Sequence, residues 1–289
     1  MKPKATVYAM MACGNSDNYT DLALESFLKT TRLTKDDKFY LFDNDAVRTN
    51  TDPNVNHIVN TVPQSFAKNI NDAIDIADGR DVFVLSNDVV FTPNWNERFD
   101  QYNNAILLPS CNQTHTYSTD LLNLISYVRI EDYNNQFAEL CKIAQFHKTK
   151  ATYKFFDALL MPFYVFRLPA AVYKKVGKFD ESFGVGGGED VDYRLRALFN
   201  GISVKYTDHS YLLHFGGKST WDGTETVTDT EARDSMYESL FAEKWGVDLA
   251  NLCLSRGNSM SVITAYNLRQ YVEDRKFSDL IREVYKLSQ

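Results

Sequence analysis

Three short stretches hold the side chains with which chemistry could be done. In residues 179–201, FDESFGVGGGEDVDYRLRALFNG, the triplet Gly186, Gly187 and Gly188 runs into Glu189 and Asp190. Consecutive glycines let a backbone take positive φ and approach another group closely, here a ligand. The spacing that follows is helical, so both acids fall in a first turn, where the helix dipole favours the ionised carboxylate. An ionised, positioned carboxylate is what a general base for a hydroxyl requires. Acids at this place are also ordinary caps, but a plain cap has no use for three glycines. The second stretch is Ser86, Asn87, Asp88 and Val89. Its carboxylate could bind a hard divalent cation through oxygen or simply cap a turn, with Pro93 close behind. The third is His214, which ends the run SYLLHF and precedes Gly216, Gly217, Lys218, Ser219 and Thr220. Backbone amides, one cation and two hydroxyls would make a diphosphate pocket, although the spacing of Gly and Lys is not that of a Walker loop. His209 has no such context and reads as structural.

These groups need elements to hold them. Residues 6–12 (TVYAMMA), 38–42 (KFYLF) and 81–85 (DVFVL) are apolar runs of strand length. Between them, residues 21–32 place Leu24, Phe27 and Leu28 on one helical face, and Phe66, Ile70, Ala73, Ile74 and Ala77 mark a second helix that stops at Gly79. Strands separated by helices imply a parallel, doubly wound sheet, and such sheets bind ligands beyond the carboxyl ends of their strands. Two of those ends carry Asp43-Asn44-Asp45 and Ser86-Asn87-Asp88. Further on, residues 105–109 read as a strand, about 110–155 as a polar, aromatic-rich insertion with weak helical periodicity, 189–199 as a helix, and 203–207 and 210–215 as two short strands. The aromatics of residues 152–166 serve the core first and an acceptor platform second. From Thr228 the chain reads as helical, with Thr228 and Glu231 as a capping box and Met236, Leu240, Phe241 and Trp245 as a buried stripe.

Composition narrows the class. The 289 residues carry 31 Lys+Arg against 38 Asp+Glu, a net charge of −7, which argues against a broad sequence-independent grip on nucleic acid. With 44% hydrophobic and 13% aromatic residues the chain can bury a large core. No apolar run is long enough to span a bilayer, and the N-terminus lacks a signal-peptide core. Cys13, Cys111, Cys141 and Cys253 lie far apart with no CxxC pair, which fits a reduced, cytoplasmic setting.

Residues 179–217, FDESFGVGGGEDVDYRLRALFNGISVKYTDHSYLLHFGG, resemble glycosyltransferase family 2 and its relatives with the GT-A nucleotide-sugar fold. The likeness lies in an acidic-aromatic turn, a Glu-Asp pair opening a helix, an Arg on that helix, a Gly stop, a strand and a His. A second passage, SFAKNINDAIDIADGRDVFVLSNDVVFTP, resembles the family's stretch leading to its metal-binding acids. The resemblance spans about residues 5–220. It implies a mixed, mainly parallel α/β sheet flanked by helices, with a GT-A domain over 1–220 and a helical C-terminal extension over 221–289. Within the domain, 1–100 would form the nucleotide-sugar half and 101–220 the acceptor half.

Carried over by position, the resemblance implies that Asp88 binds Mn²⁺ or Mg²⁺ together with His214. Ser86 stands where the family has its first metal acid. Asp190 matches the catalytic base and Glu189 its companion facing the acceptor. Asp43, Lys68, Asn71, Ser86, Asn87 and Lys218 would line the donor. The implied reaction is inverting transfer of a hexosyl or pentosyl group from a nucleotide-diphosphate sugar to an acceptor hydroxyl. Two alternatives stand beside it. One is a non-catalytic nucleotide-sugar or glycan-binding module. The other is transfer to a hydroxylated base in DNA, for which Lys142, Lys148, Lys150, Lys154, Lys174, Lys175 and Lys178 would have to form a local channel.

Overall fold

A computed structural model of the chain describes residues 5–12, 16–44, 48, 52–112, 129–162, 164–218, 226–254 and 256–289. Cys13, Asp45, Ser219 and Thr220 lie outside them. The first half alternates strand and helix: β1 (Thr6–Ala12), α1 (Asp17–Thr30), β2 (Lys38–Asp43), β3 (Val55–Val59), α2 (Phe66–Ala77), β4 (Asp81–Ser86) and the short β5 (Val89–Val90). Then come β6 (Ala105–Cys111), α3 (Ile130–Tyr133), α4 (Phe137–Lys150), β7 (Phe155–Asp157), β8 (Val165–Leu168), α5 (Ala170–Val176), α6 (Glu189–Phe199) and β9 (Ser203–His214). The helices α7 (Val227–Trp245), α8 (Val247–Cys253), α9 (Ser259–Ala265), α10 (Arg269–Glu273) and α11 (Phe277–Leu287) close the chain.

The strands form one sheet in the order β3-β2-β1-β4-β8-β6-β9-β5, with β7 on β9. The pairs among β3, β2, β1 and β4 are parallel, as is β6 with β9, whereas β8 runs antiparallel to both its neighbours. The expected mixed, mainly parallel α/β sheet is therefore present. Strands β1 and β4 read as unbroken apolar runs because helices cover both faces of the sheet, and every residue of β4 is buried. Helix α2 starts at Ser65, whose hydroxyl accepts from the Lys68 amide, and stops at Asp78 and Gly79, both with positive φ.

Several sequence expectations need correction. The two strands expected over 203–215 are one strand, β9. Its pairing with β6 slips from Leu108↔Tyr206 to Ser110↔Tyr211, so Thr207–Ser210 bulge opposite Pro109, which has no N–H for the ladder. The weak helical periodicity of the insertion, by contrast, corresponds to a 14-residue helix, α4. The capping box of α7 is Thr226 with Asp229, one turn-start earlier than Thr228 with Glu231. Of the expected C-terminal stripe, Phe241 is fully buried and Leu240 and Trp245 are partly so, but Met236 is 43% exposed and Tyr237 takes the inner position.

The C-terminal helices share a second apolar cluster with the outer face of α6, through Val191, Leu195 and Leu198. Polar bonds reinforce the seam. The buried Arg194 guanidinium donates to the Ala158 carbonyl at 2.8 Å and to Ser278 Oγ at 3.0 Å, and Ser278 Oγ donates to Asp157 at 2.7 Å. Burial, opposed by the Asp157 charge, pushes the Arg194 pKa down to about 10. The arginine expected on this helix is thus a brace between α6 and α11.

Candidate active site

Asp88 follows β4, and the pairing of β5 with β9 sets Val89 opposite His214. That register brings His214 Nε2 to 3.3 Å from Asp88 Oδ1. Ser86 Oγ donates to the same oxygen at 2.6 Å, and the Lys218 amide donates to Oδ2 at 3.0 Å. The Phe215 amide bonds the Asp88 carbonyl at 2.9 Å, which docks the segment after β9 onto this carboxylate. Burial would raise the Asp88 pKa, but the facing His214 charge and the bonds from His214, Ser86 and Lys218 outweigh it and hold the carboxyl below its ordinary range. The reciprocal effect of Asp88 raises His214 well above its ordinary value, against the pull of burial. Neighbouring Asn87 is fully buried and donates to Ser16 Oγ and Thr20 Oγ1, both at 2.7 Å, which ties the site to the start of α1. Its Oδ1 is buried without a hydrogen-bond partner.

At the end of β2 the buried Asp43 carboxylate accepts from His57 Nε2 at 2.9 Å and from the Arg48 amide at 3.3 Å. Beside it, Asn44 Oδ1 accepts from Asn60, Asn69 and the Gln64 amide, so one side chain joins the ends of β2 and β3 to α2. His57 and this asparagine cluster were not singled out from the sequence, where the only signal is the density of Asn between residues 44 and 71. Lys68 pairs with Asp72 one turn along α2. Asn71 is buried, and its amide is taken up by the Phe179 backbone and Glu181, which anchors the turn before α6.

That anchoring places the second acidic centre. Helix α2 is about 18 Å long and precedes β4 by a tight turn, so its first residue lies level with the carboxyl end of β4. The Phe66 amide donates to the Val185 carbonyl at 3.1 Å and holds the 184–188 loop at that end of the sheet. Gly188, with φ of 84°, then opens α6. Glu189 is 2% exposed and its carboxylate turns back to accept from the Gly187 amide. Asp190 Oδ1 accepts from the Val191 amide at 2.7 Å. Burial raises both carboxyls, and the Asp190 charge raises Glu189 further. The helix dipole favours the ionised form of both acids, and burial acts against it.

The glycines also behave differently from expectation. A methyl group on Gly187 would lie 2.6 Å from the Tyr237 ring of α7, and one on Gly188 would lie 3.1 Å from the Phe183 ring. At these two positions the close approach is to the protein's own aromatics. Asp192, on the next turn of α6, bonds Arg196 Nε at 2.8 Å, Lys244 Nζ at 2.8 Å and Trp245 Nε1 at 2.9 Å. The lysines considered for DNA are separated, with Lys142 on Glu139, Lys148 on Glu97 and Lys178 on Asp75.

Among the described residues no group of three or more His, Cys, Asp or Glu could hold a metal ion, and no helix is long and apolar enough to cross a membrane. No protein-family model and no curated protein sequence matches the chain. Among solved structures it is similar to GalNAc-T7, crystallised with UDP, GalNAc and Mn²⁺, at 11% identity and a TM-score of 0.57, covering 94% of this chain and 55% of that one. It is also similar to TarS of S. aureus, at 14% identity and a TM-score of 0.50, covering 92% of this chain and 43% of that one. The chain thus spans about half the length of these two structures. Both are GT-A glycosyltransferases, and a shared course over more than nine-tenths of the chain establishes that its own fold is GT-A.

Proposed function

We propose that the chain is a metal-dependent inverting glycosyltransferase, moving a sugar from a nucleotide-diphosphate donor to an acceptor hydroxyl. The observation that carries this reading is the pairing of Asp88 with His214 beneath the Lys218 amide, at the carboxyl end of β4 where such sheets bind ligands. Asp88 would offer carboxylate oxygen to a divalent cation that takes most of its ligands from phosphate and water, and His214, which Asp88 favours in its charged form, would give up its proton to join it. Mg²⁺ keeps several waters and needs only one or two carboxylates beside substrate phosphates, and Mn²⁺ shares its preference for carboxylate, carbonyl and water oxygen. The absence of a third protein ligand among the described residues is compatible with that donor set. Asp88 and His214 would hold the ion. Bound there, it would supply charge compensation for the departing diphosphate. The GalNAc-T7 structure contains UDP and Mn²⁺, which makes uridine diphosphate with Mn²⁺ the first ligand to test.

The remaining roles fall to side chains at the other centre. Asp190 Oδ1 is held by the Val191 amide, which leaves Oδ2 to take the acceptor's proton. The acceptor oxygen then forms its bond to the anomeric carbon while the bond to the diphosphate breaks, and the diphosphate leaves with the electron pair. One displacement inverts the carbon. Glu189, whose carboxyl burial and the neighbouring acids raise, would border the acceptor and restrict where its hydroxyl can sit. Asp43, fixed by His57, is placed to read the nucleoside, with Ser86 and Asn87 bracing the diphosphate end.

Calorimetry with uridine diphosphate tests the reading: binding is expected to need Mn²⁺, and Asp88→Ala is expected to weaken it by about 100-fold or more, the scale of a lost buried charge partner. Equal affinity with and without the ion, or an Asp88→Ala variant that binds as tightly as the parent, would sink it.

A further inference from the structure

We propose that Tyr237, on the C-terminal helix α7, is a positioning residue for the Glu189–Asp190 pair, its ring acting as the wall against which the 184–188 loop is shaped. The inference rests on the proposed reading of that pair as the acceptor-activating centre, but its geometry stands independently. Tyr237 is buried, and its ring faces both glycines that precede the acids. Built methyl groups on Gly187 and Gly188 would meet Tyr237 Cδ1 at 2.6 Å and Cδ2 at 3.3 Å, so the ring lies flush against the loop backbone. One residue earlier in α7, Met236 Cε comes as close to Gly184, where a methyl would lie 2.8 Å away. The three glycines in contact with α7 or Phe183 all have positive φ, at 79°, 130° and 84°. The loop therefore takes a course that only glycine allows, pressed against side chains that arrive from about fifty residues downstream.

The far end of α7 is fixed independently of Tyr237. Lys244 Nζ bridges Asp180 at 2.7 Å and Asp192 at 2.8 Å, on either side of the loop, and Trp245 bonds Asp192. Asp180 also caps the turn at Glu181–Phe183, so the segment entering the loop and the helix leaving it are clamped to one side chain. Within that clamp the Tyr237 ring has one consequence for the acids. It limits the course of the backbone that carries them, and the Gly187 amide beside the ring is the donor that holds Glu189. Besides the two acids themselves, the charge acting on Glu189 is that of Asp192 on α6, which Arg196, Lys244 and Trp245 hold; a change at Tyr237 removes none of these groups.

The experiment compares Tyr237→Phe, Tyr237→Leu and Tyr237→Ala in the full chain. Removing the ring is expected to lower kcat by about 10- to 100-fold, the cost of an ångström-scale misplacement, with the donor KM within about twofold. Tyr237→Phe is expected to keep parental turnover, and Tyr237→Leu to fall between. If Tyr237→Ala does not fold, Tyr237→Leu carries the comparison. A second readout needs no substrate: carboxyl-labelled Glu and Asp, assigned through Glu189→Gln and Asp190→Asn, are followed by NMR as pH changes. The pair is expected to titrate above the ordinary carboxylate range in the parent and to move toward that range in Tyr237→Ala. Unchanged titration in the Ala and Leu variants, or a loss in Tyr237→Phe as large as in Tyr237→Ala, would overturn the inference. If the titration moves but Asp190→Asn still transfers sugar, the positioning role holds and the proposed function of the pair is the part that fails.

Discussion

Asp88 and Glu189 are both carboxylates sealed from solvent, and their surroundings treat them in opposite ways. Asp88 meets an imidazole, a hydroxyl and a backbone amide, so its negative charge is wanted three times over and its pKa falls despite burial. Glu189 meets backbone amides and two like charges, Asp190 and Asp192, so burial and like charge together outweigh the amides and its pKa rises. Burial sets the cost of a charge in each case, and the sign and number of partners decide whether that cost is met. An ionised, fully paired carboxylate suits a group that must hold a cation or a phosphate-bearing ligand in one place. A pair that shares a proton suits a group that must exchange one.

The sharpest way to break this comparison is at Asp190. Asparagine keeps the shape and the bond from the Val191 amide while removing basicity, so donor binding is expected to survive. Turnover is expected to fall by roughly 10²–10⁴-fold, the usual contribution of a general base. Because burial raises the Asp190 carboxyl, parental activity is expected to disappear as pH falls through a range above that of ordinary carboxylates. A variant that transfers sugar at the parental rate, or a parental acid limb near pH 4, would show that the pair does not exchange the proton.

The next effect is on stability. The folded pKa of Glu189 lies above its unfolded value, so its contribution is complete below the unfolded carboxyl range, about pH 4.3. That contribution is lost as pH rises through the raised folded value. Parental stability is therefore expected to decline on the alkaline side by about 1.4 kcal/mol for each unit separating the two values. Glu189→Gln, which has no proton to lose, is expected to flatten that decline in urea titrations at a series of pH values. Parallel curves for the two proteins would mean that the carboxyl is not held neutral by its site.

How much of this contrast could be read from the sequence follows from which partners are local. The strands β1 and β4 were legible because burial on both faces leaves unbroken apolar runs, and Asp88 was legible because it ends one of them. His214 was legible as a candidate, but its contact with Asp88 depends on the β5–β9 register. Strand β3, VNHIV, lies at the sheet edge with Asn56 and His57 inside it, so it shows no apolar run to read. His57 was consequently missed as the partner of Asp43. The glycine triplet announced a close approach, and the structure contains one. What the sequence had no means of giving was the group approached, since Tyr237 comes from a helix about fifty residues away.

A third acid sharpens the comparison with the smallest change. Asp192 follows Asp190 by two residues on α6 and is also buried, yet it has the partners that the pair lacks: Arg196, Lys244 and the Trp245 indole. Trp245→Phe removes the indole N–H together with one of the two fused rings and keeps an aromatic ring against Phe199, whose centroid lies 5.7 Å away. The carboxylate retains two cations, so no buried charge is stranded. The expected cost is that of one hydrogen bond to a charged group, about 1.5 kcal/mol, plus a smaller packing loss from the lost ring of a partly buried side chain, read in denaturant unfolding, with turnover within about twofold of the parent. A larger loss of stability would mean that Trp245 packs more than the bond describes. A large loss of turnover at unchanged stability would mean that the Asp192 clamp tunes the catalytic pair, and that the three acids of α6 act as one unit.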